Sequence, residues 1–400
     1  MQAVNPMLEI ADAVAEYGGE TLNVCMQCGT CTSVCPWNLV GSFNPRLILR
    51  QISLGFEGSE EAVWNCVTCN TCVTRCPRGL ELIDVLRATR ALMVDQGTTP
   101  EGIRAPLSSM TSDGNPWQGK RDERTAWVED LDLPSCTSDH DYCLFTCCSL
   151  AYDPRNQVVG RLLIQLLQRA GLSFGTLDTR ESCCGDQARK LGADDVFRSL
   201  AKSNIELFQE HGVQRALVAS PHCLNAFTKD YRDLDGAVAS EHYTEVLDRL
   251  IADGELIPTE NQDRTVTFHD PCYLGRHNGI YDAPRRVLRS IPGLKLVEMP
   301  RCRENSLCCG GGGGGAWSEY SVEQRFAVLR VREALDSGAE VIATACPYCT
   351  LMLEDAVNVL DAGEQIAVRD VAELLAQSVG LADEKAMAAE SAPTDGGGGD

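Results

Sequence analysis

The spacing of hydrophobic positions changes character along this chain. Phe43, Leu47, Ile48 and Ile52 recur at helical spacing, with Asn44-Pro45 as a start signal and Gly55 as a stop. A second helical pattern covers Leu80 to Val94, so residues 1–97 are expected to form a mostly helical domain. From Thr98 to Ser138 the pattern gives way to Pro, Gly, Ser, Thr and Asp with scattered charges, which predicts a linker or extended connection over 98–138. Beyond it, short apolar or β-branched runs (142–145, 216–219, 265–268, 341–345) alternate with helical stretches, among them Arg155 to Gly171 and one ending at Ile291. Trp317 to Leu335 carries Tyr320, Val322, Phe326, Leu329, Val331 and Leu335 at helical spacing and reads as core packing. The tail 383–400, ending in four glycines and an aspartate, is expected to be disordered.

The alternating region is a duplication. One copy, 139–260, has Cys148-Ser149-Leu150, then Cys183-Cys184-Gly185, then Ser220-Pro221-His222-Cys223. The other, 261–382, has Cys272-Tyr273-Leu274, then Cys308-Cys309-Gly310, then Cys346-Pro347-Tyr348-Cys349. The first cysteine precedes the pair by 35 residues in one copy (148 to 183) and 36 in the other (272 to 308). The last cysteine follows the pair by 39 (184 to 223) and 40 (309 to 349). Each copy is expected to be an α/β unit with metal ligands at strand ends. With the helical first domain, the fold class is α+β and multidomain.

The chemistry lies in the cysteines. Two runs, Cys25-x-x-Cys28-x-x-Cys31-x-x-x-Cys35-Pro36 and Cys66-x-x-Cys69-x-x-Cys72-x-x-x-Cys76-Pro77, have the spacing of a ferredoxin module with two [4Fe-4S] clusters. Three cysteines of each run face one cluster and the fourth crosses to the other. Cluster one would take Cys25, Cys28, Cys31 and Cys76, and cluster two Cys66, Cys69, Cys72 and Cys35. Structural zinc sites and disulfide scaffolds do not explain a third cysteine in each run. The second copy offers Cys272, Cys308, Cys309, Cys346 and Cys349. Adjacent cysteines cannot readily chelate one ion but can reach two irons of a larger cluster. Gly310 and Gly311 open a run of six glycines that lets backbone N–H groups approach an inorganic core, and a flexible spacer is the plainer alternative.

Composition narrows the setting. With 21 cysteines and no export signal, a reducing, cytoplasmic location is expected, attached to a membrane only through a partner. No uncharged apolar segment approaches the ~18 residues of a membrane span. A net charge of -22 speaks against nucleic acid as a partner. No nucleotide-binding glycine fingerprint is present, so a flavoprotein, a cytochrome b or a ferredoxin-like donor must be coupled to the chain from outside.

The phrases His269-Asp270-Pro271-Cys272-Tyr273-Leu274-Gly275-Arg276 and Glu304-Asn305-Ser306-Leu307-Cys308-Cys309-Gly310-Gly311-Gly312, with the cysteine spacing, resemble the duplicated "CCG" domain of the heterodisulfide reductase catalytic subunit and its relatives. The resemblance runs from about Asn23 to Gly380. It implies an iron–sulfur oxidoreductase in which each CCG domain holds a noncubane [4Fe-4S] cluster on five cysteines, the pair acting together to split a disulfide. The second copy matches that set in full. In the first, Cys148, Cys183, Cys184 and Cys223 match, but Ser220 stands where the motif has cysteine. Serine is a much weaker iron ligand. Cys147 is an alternative donor, although Cys148 aligns with Cys272. The first copy is therefore expected to hold an ordinary cubane or to act as a relay, giving one or two clusters beyond the ferredoxin pair.

Three functions are compatible with these residues: a disulfide-reducing enzyme, an electron-transfer subunit wiring a flavoprotein or quinone-linked partner to another catalyst, and the iron–sulfur subunit of a glycolate- or lactate-oxidising complex. His269 and His277 bracket Cys272 and are candidate proton donors. Arg276 is a candidate for balancing cluster charge or holding a carboxylate. His222 is expected to pack, and Cys136, Cys143 and Cys302 to be small apolar residues.

Overall fold

The computed structural model describes residues 6–56, 58 and 60–381, so the tail 383–400 lies outside the described residues. In the N-terminal domain the expected helix is Pro45–Leu54. Asn44 accepts from the Leu47 N–H at its start, and Gly55, at φ 61°, closes it. The second expected helix is Leu82–Asp95. The two cysteine runs, one before the first helix and one between the two, trace the same backbone. Gln27 and Thr68 lie at φ 59° and 51°, and two residues on Gly29 and Asn70 lie at 86° and 66°. These left-handed positions curl each run back on itself.

Each copy is a four-stranded parallel sheet flanked by helices. In the first copy the strands are β1 (Tyr142–Phe145), β2 (Phe174–Thr176), β3 (Arg215–Val218) and β4 (Ala239–His242), in spatial order β2-β1-β3-β4. In the second they are β5 (Thr265–Phe268), β6 (Lys295–Val297), β7 (Val341–Thr344) and β8 (Ala367–Asp370), in order β6-β5-β7-β8. The strands read from the sequence are the central pair of each sheet, β1 with β3 and β5 with β7. Their burial on both faces leaves a continuous apolar run. The order reverses between those central strands, and in open parallel sheets this is where ligands bind, beyond the carboxyl ends. Cys147, Cys148 and Cys223 follow β1 and β3 in the first copy, and Cys272, Cys346 and Cys349 follow β5 and β7 in the second.

The two sheets share one apolar core, in which Phe145, Leu217 and Leu247 of one copy join Phe268, Leu288 and Leu375 of the other. Arg155 ties them at its edge, bonding Glu354 and Glu373 at 2.6 and 2.8 Å.

Two sequence expectations are corrected. Residues 98–138 are not an extended linker: they contain the helix Glu101–Ser112, with Ile103 and Met110 buried, and residues 134–136 hydrogen-bond along β2. Ser, Thr and Pro106 hid this helix. Its stability comes from packing against the body of the protein rather than from its own propensity. In the stretch 317–335, only Phe326–Asp336 is a regular helix. Tyr320 and Phe326 instead meet the Trp37 ring edge-on at 5.1 and 5.0 Å, joining the second copy to the N-terminal domain.

Candidate metal centres

In the N-terminal domain Cys25, Cys28, Cys31 and Cys76 line one cavity, and Cys35, Cys66 and Cys69 line another. Cys72 borders both. Thr30 and Thr71, at equivalent places, put hydroxyls 3.4 Å from the Cys28 and Cys69 sulfurs. Cys28 is exposed, whereas Cys66 and Cys69 are buried.

In the second copy five thiols form a chain. Cys272 Sγ lies 3.9 Å from Cys308, and Cys309 lies 3.4 Å from Cys349. Cys308 meets Cys309, and Cys349 meets Cys346. The backbone N–H groups of Gly310 and Gly311 donate to the Cys308 and Cys309 sulfurs at 3.3 and 3.5 Å. Thiols this close do not readily all lose their protons, because neighbouring thiolates repel. Cys308, Cys349 and His269 hold Cys309 well below its ordinary value, while the contacts with Cys272, Cys309 and Cys69 and burial push Cys308 well above it. Burial opposes ionisation of Cys346, but Cys349 and His222 outweigh it and bring it to about 6. All 21 cysteines are free. A buried set of soft, proton-sharing sulfurs with backbone donors aimed at them fits an iron–sulfur core, whose positive charge would replace the protons.

The glycine run is not a spacer, because all six glycines are buried. A Cβ on Gly312 would sit 2.7 Å from the Val67 carbonyl oxygen, and one on Gly313 would sit 2.6 Å from that of Cys66. Only glycine lets this loop lie against the second cysteine run. Arg90, 1% exposed, locks the junction by donating to the carbonyls of Val63, Trp64, Cys66, Lys190 and Gly313. Cys69 of the second cysteine run and Cys308 of the Cys-Cys pair have neighbouring thiols, and this proximity first, with Arg276, draws the Cys69 thiol down. The sequence carried no sign of that contact, since the two residues are remote along the chain.

The single candidates divide between the thiols and the surrounding scaffold. Arg276 is buried and bonds the carbonyls of Cys69 and Ser306, both at 2.6 Å, so it balances sulfur charge from within. His269 reaches Cys309 and accepts from Arg330 at 3.1 Å, and burial holds it below its ordinary pKa. The His277 ring turns away from Cys272 to Thr68 O at 2.9 Å, which removes it as a proton donor to that thiol. His222 does more than pack. It bonds Asp186 at 2.7 Å, touches Cys346 of the other copy, and stacks on Tyr273 at 3.8 Å. Burial opposes its charge, but Asp186 and Cys346 hold it well above the ordinary histidine value. Cys136 and Cys143 contact each other, away from the thiol chains. Cys302 lies by Glu298 and Asp270.

In the first copy Cys148 meets Cys183, Cys183 meets Cys184, and Cys184 meets Cys223. Arg124 donates to Cys148 at 3.8 Å and pairs with buried Glu181. Glu181 also accepts from the Thr146 and Cys147 N–H groups at 2.9 and 3.0 Å. Arg124, Thr146 and Glu181 line a cleft of about 200 Å³.

A family model for the cysteine-rich CCG domain matches twice, over residues 142–228 and 266–354, and one for a 4Fe-4S dicluster domain matches residues 24–80. A subunit of the dihydromethanophenazine:CoB–CoM heterodisulfide reductase of Methanosarcina barkeri is 31% identical over 90% of this chain and 94% of its own length. This chain belongs to that iron–sulfur oxidoreductase family. A probable iron–sulfur-binding oxidoreductase of Bacillus subtilis, FadF, is 37% identical over 86% of the chain. The EtfAB:quinone oxidoreductase of Syntrophomonas wolfei is 32% identical over 88%. The chain spans only 49% and 58% of those two proteins. A hypothetical Helicobacter pylori protein of known crystal structure shares the fold with a TM-score of 0.52 at 9% identity, covering 96% of this chain and 75% of that one. No helix among the described residues is long and apolar enough to cross a membrane.

Proposed function

We propose that this chain is the electron-carrying module of a heterodisulfide-reductase-type complex, taking electrons at its N-terminal domain and delivering them to its CCG domains. Cys25, Cys28, Cys31 and Cys76 would hold one [4Fe-4S] cluster, and Cys66, Cys69, Cys72 and Cys35 a second. Cys272, Cys308, Cys309, Cys346 and Cys349 would hold a further, noncubane cluster. Such groups, when bound, store and pass single electrons.

The observation that carries this reading is the contact between Cys69 and Cys308, which joins the N-terminal domain to the CCG site through neighbouring sulfurs. Polarity along the molecule follows from exposure. Cys28 is open to solvent beside Met26, 56% exposed, and a donor protein can approach there. Cys66, Cys69 and the thiols of the second copy are buried, and Arg90 and the glycine loop keep water from the junction. The external donor is a flavoprotein, a cytochrome b or a ferredoxin-like protein.

A second reading, disulfide reduction on this chain itself, is favoured by one feature: the two thiol chains face each other across His222, which bonds Cys346, and Tyr348, which lies by Cys148 and Cys183. Iron and sulfide content of anaerobically purified full chain, with EPR of the oxidised protein with and without added thiol, tests both. About 12 to 16 irons per chain, at four per cluster, supports the module. A thiol-dependent signal adds disulfide chemistry, and about 8 irons would refute the CCG domains as cluster sites.

A further inference from the structure

The first copy lacks a cysteine at Ser220, yet its thiol chain is not short. The Cys147 thiol neighbours that of Cys223, so the contacts run Cys148, Cys183, Cys184, Cys223, Cys147. In the second copy they run Cys272, Cys308, Cys309, Cys349, Cys346. Each place in one series has its counterpart in the other, and Cys147 occupies the place of Cys346.

Two further observations make this an exchange of roles. Cys147 lies at φ 62°, a left-handed conformation that a side chain other than glycine seldom adopts and that persists only where the surroundings hold it. Here the hold is the hydrogen bond from the Cys147 N–H to buried Glu181 at 3.0 Å, and the thiol is 3% exposed. The counterpart in the second copy is Pro271, whose ring forbids that φ and which brings no sulfur. Ser220, meanwhile, is engaged elsewhere: its Oγ accepts the His222 N–H at 3.3 Å and caps the helix Pro221–Thr228. Cys346, at the same place before Pro347–Val359, makes no such cap.

We propose that Cys147 replaces the missing cysteine at Ser220, so that the first copy is a complete five-thiolate site built from Cys147, Cys148, Cys183, Cys184 and Cys223. The inference rests on the reading of the CCG domains as cluster sites. It replaces the expectation of a degenerate first copy with that of two full sites facing each other.

The test compares anaerobically purified full-length variants by iron and sulfide content and by Mössbauer spectra. Cys147→Gly suits the left-handed backbone and Cys147→Ser keeps the size, so together they guard against misfolding. Both should lose about one cluster's worth of iron, about four atoms, or change the spectrum of one site, while Ser220→Ala keeps the wild-type content. Cys147→Gly combined with Ser220→Cys should restore the lost iron. Wild-type iron and spectra in both Cys147 variants would overturn the inference, as would failure of Ser220→Cys to rescue Cys147→Gly. Cys346→Ser separates the two levels. If it loses iron and the Cys147 variants do not, only the role of Cys147 falls. If neither loses iron, the reading of both domains as cluster sites falls with it.

Discussion

The two CCG copies share a sheet order, a helix-capped cysteine loop and a chain of thiols, and differ in what lies against them. After Cys308-Cys309 the second copy continues into glycines that admit the backbone of Cys66 and Val67. After Cys183-Cys184 the first copy turns at Gly185, φ 82°, into the helix Asp186–Lys190. Both copies touch the N-terminal domain, the first through the Lys190 carbonyl and Asp194, which bond Arg90 and Arg87. Only the second brings its thiols to a cysteine run, while the first has its thiols beside a cleft lined by Arg124 and Glu181. Duplication supplied two equivalent thiol frames, and neighbouring residues gave each a different surrounding.

The largest expected effect separates the two frames at their arginines. Arg124→Met leaves Glu181 buried without its cation, which should cost about 3–5 kcal/mol. It should lower the thermal midpoint and release iron from the first copy ahead of the second. Arg90→Met leaves buried carbonyls without donors, for about 2–4 kcal/mol. Its signature should be slower reduction of the CCG domains at unchanged reduction of the N-terminal domain, followed by stopped-flow absorbance. Equal effects of both variants on both copies would erase the proposed division.

A smaller contrast lies at equivalent helix caps. His242 ends β4 and Asp370 ends β8, each closing a capping box, with the Tyr243 hydroxyl bonding Asp370 at 2.6 Å. Burial takes His242 down to about 3, below its ordinary 6.5. The unfolded chain therefore takes up a proton that the fold refuses, and stability present above pH 6.5 is lost as pH falls toward 3. Burial takes Asp370 up to about 7 from 3.8, so its contribution is full below 3.8 and is lost as pH rises toward 7. His242→Asn keeps a capping side chain and should flatten the acid limb, by at most about 2 kcal/mol at pH 5. Asp370→Asn should flatten the opposite limb. Thermal midpoints between pH 5 and 7.5 check both, and parallel slopes would contradict the assignment. Smallest of all, Ser220→Ala should cost about 1 kcal/mol through the lost cap, read as a drop in thermal midpoint.

Much of this organisation was legible in the cysteine spacing and in the apolar runs of the four central strands, whose burial on both faces makes them plain. The edge strands β2, β4, β6 and β8 are short or half-polar and left no comparable pattern. The helix Glu101–Ser112 was obscured by Ser, Thr and an internal Pro106, since it is held by contacts remote in sequence. The six glycines signalled a close approach, but not that the partner would be the Cys66–Val67 backbone. Cys147 was visible as a spare thiol. Only the backbone turn that swings it to Cys223 shows how the site could compensate for Ser220.

The contact between Cys69 and Cys308 carries the account, and magnetic coupling measures it most directly. EPR of the partially reduced full chain should show spin–spin interaction between a ferredoxin cluster and a CCG-domain cluster, lost in Cys308→Ala while the ferredoxin signals remain. Magnetically isolated signals throughout the reductive titration, unchanged by Cys308→Ala, would contradict it.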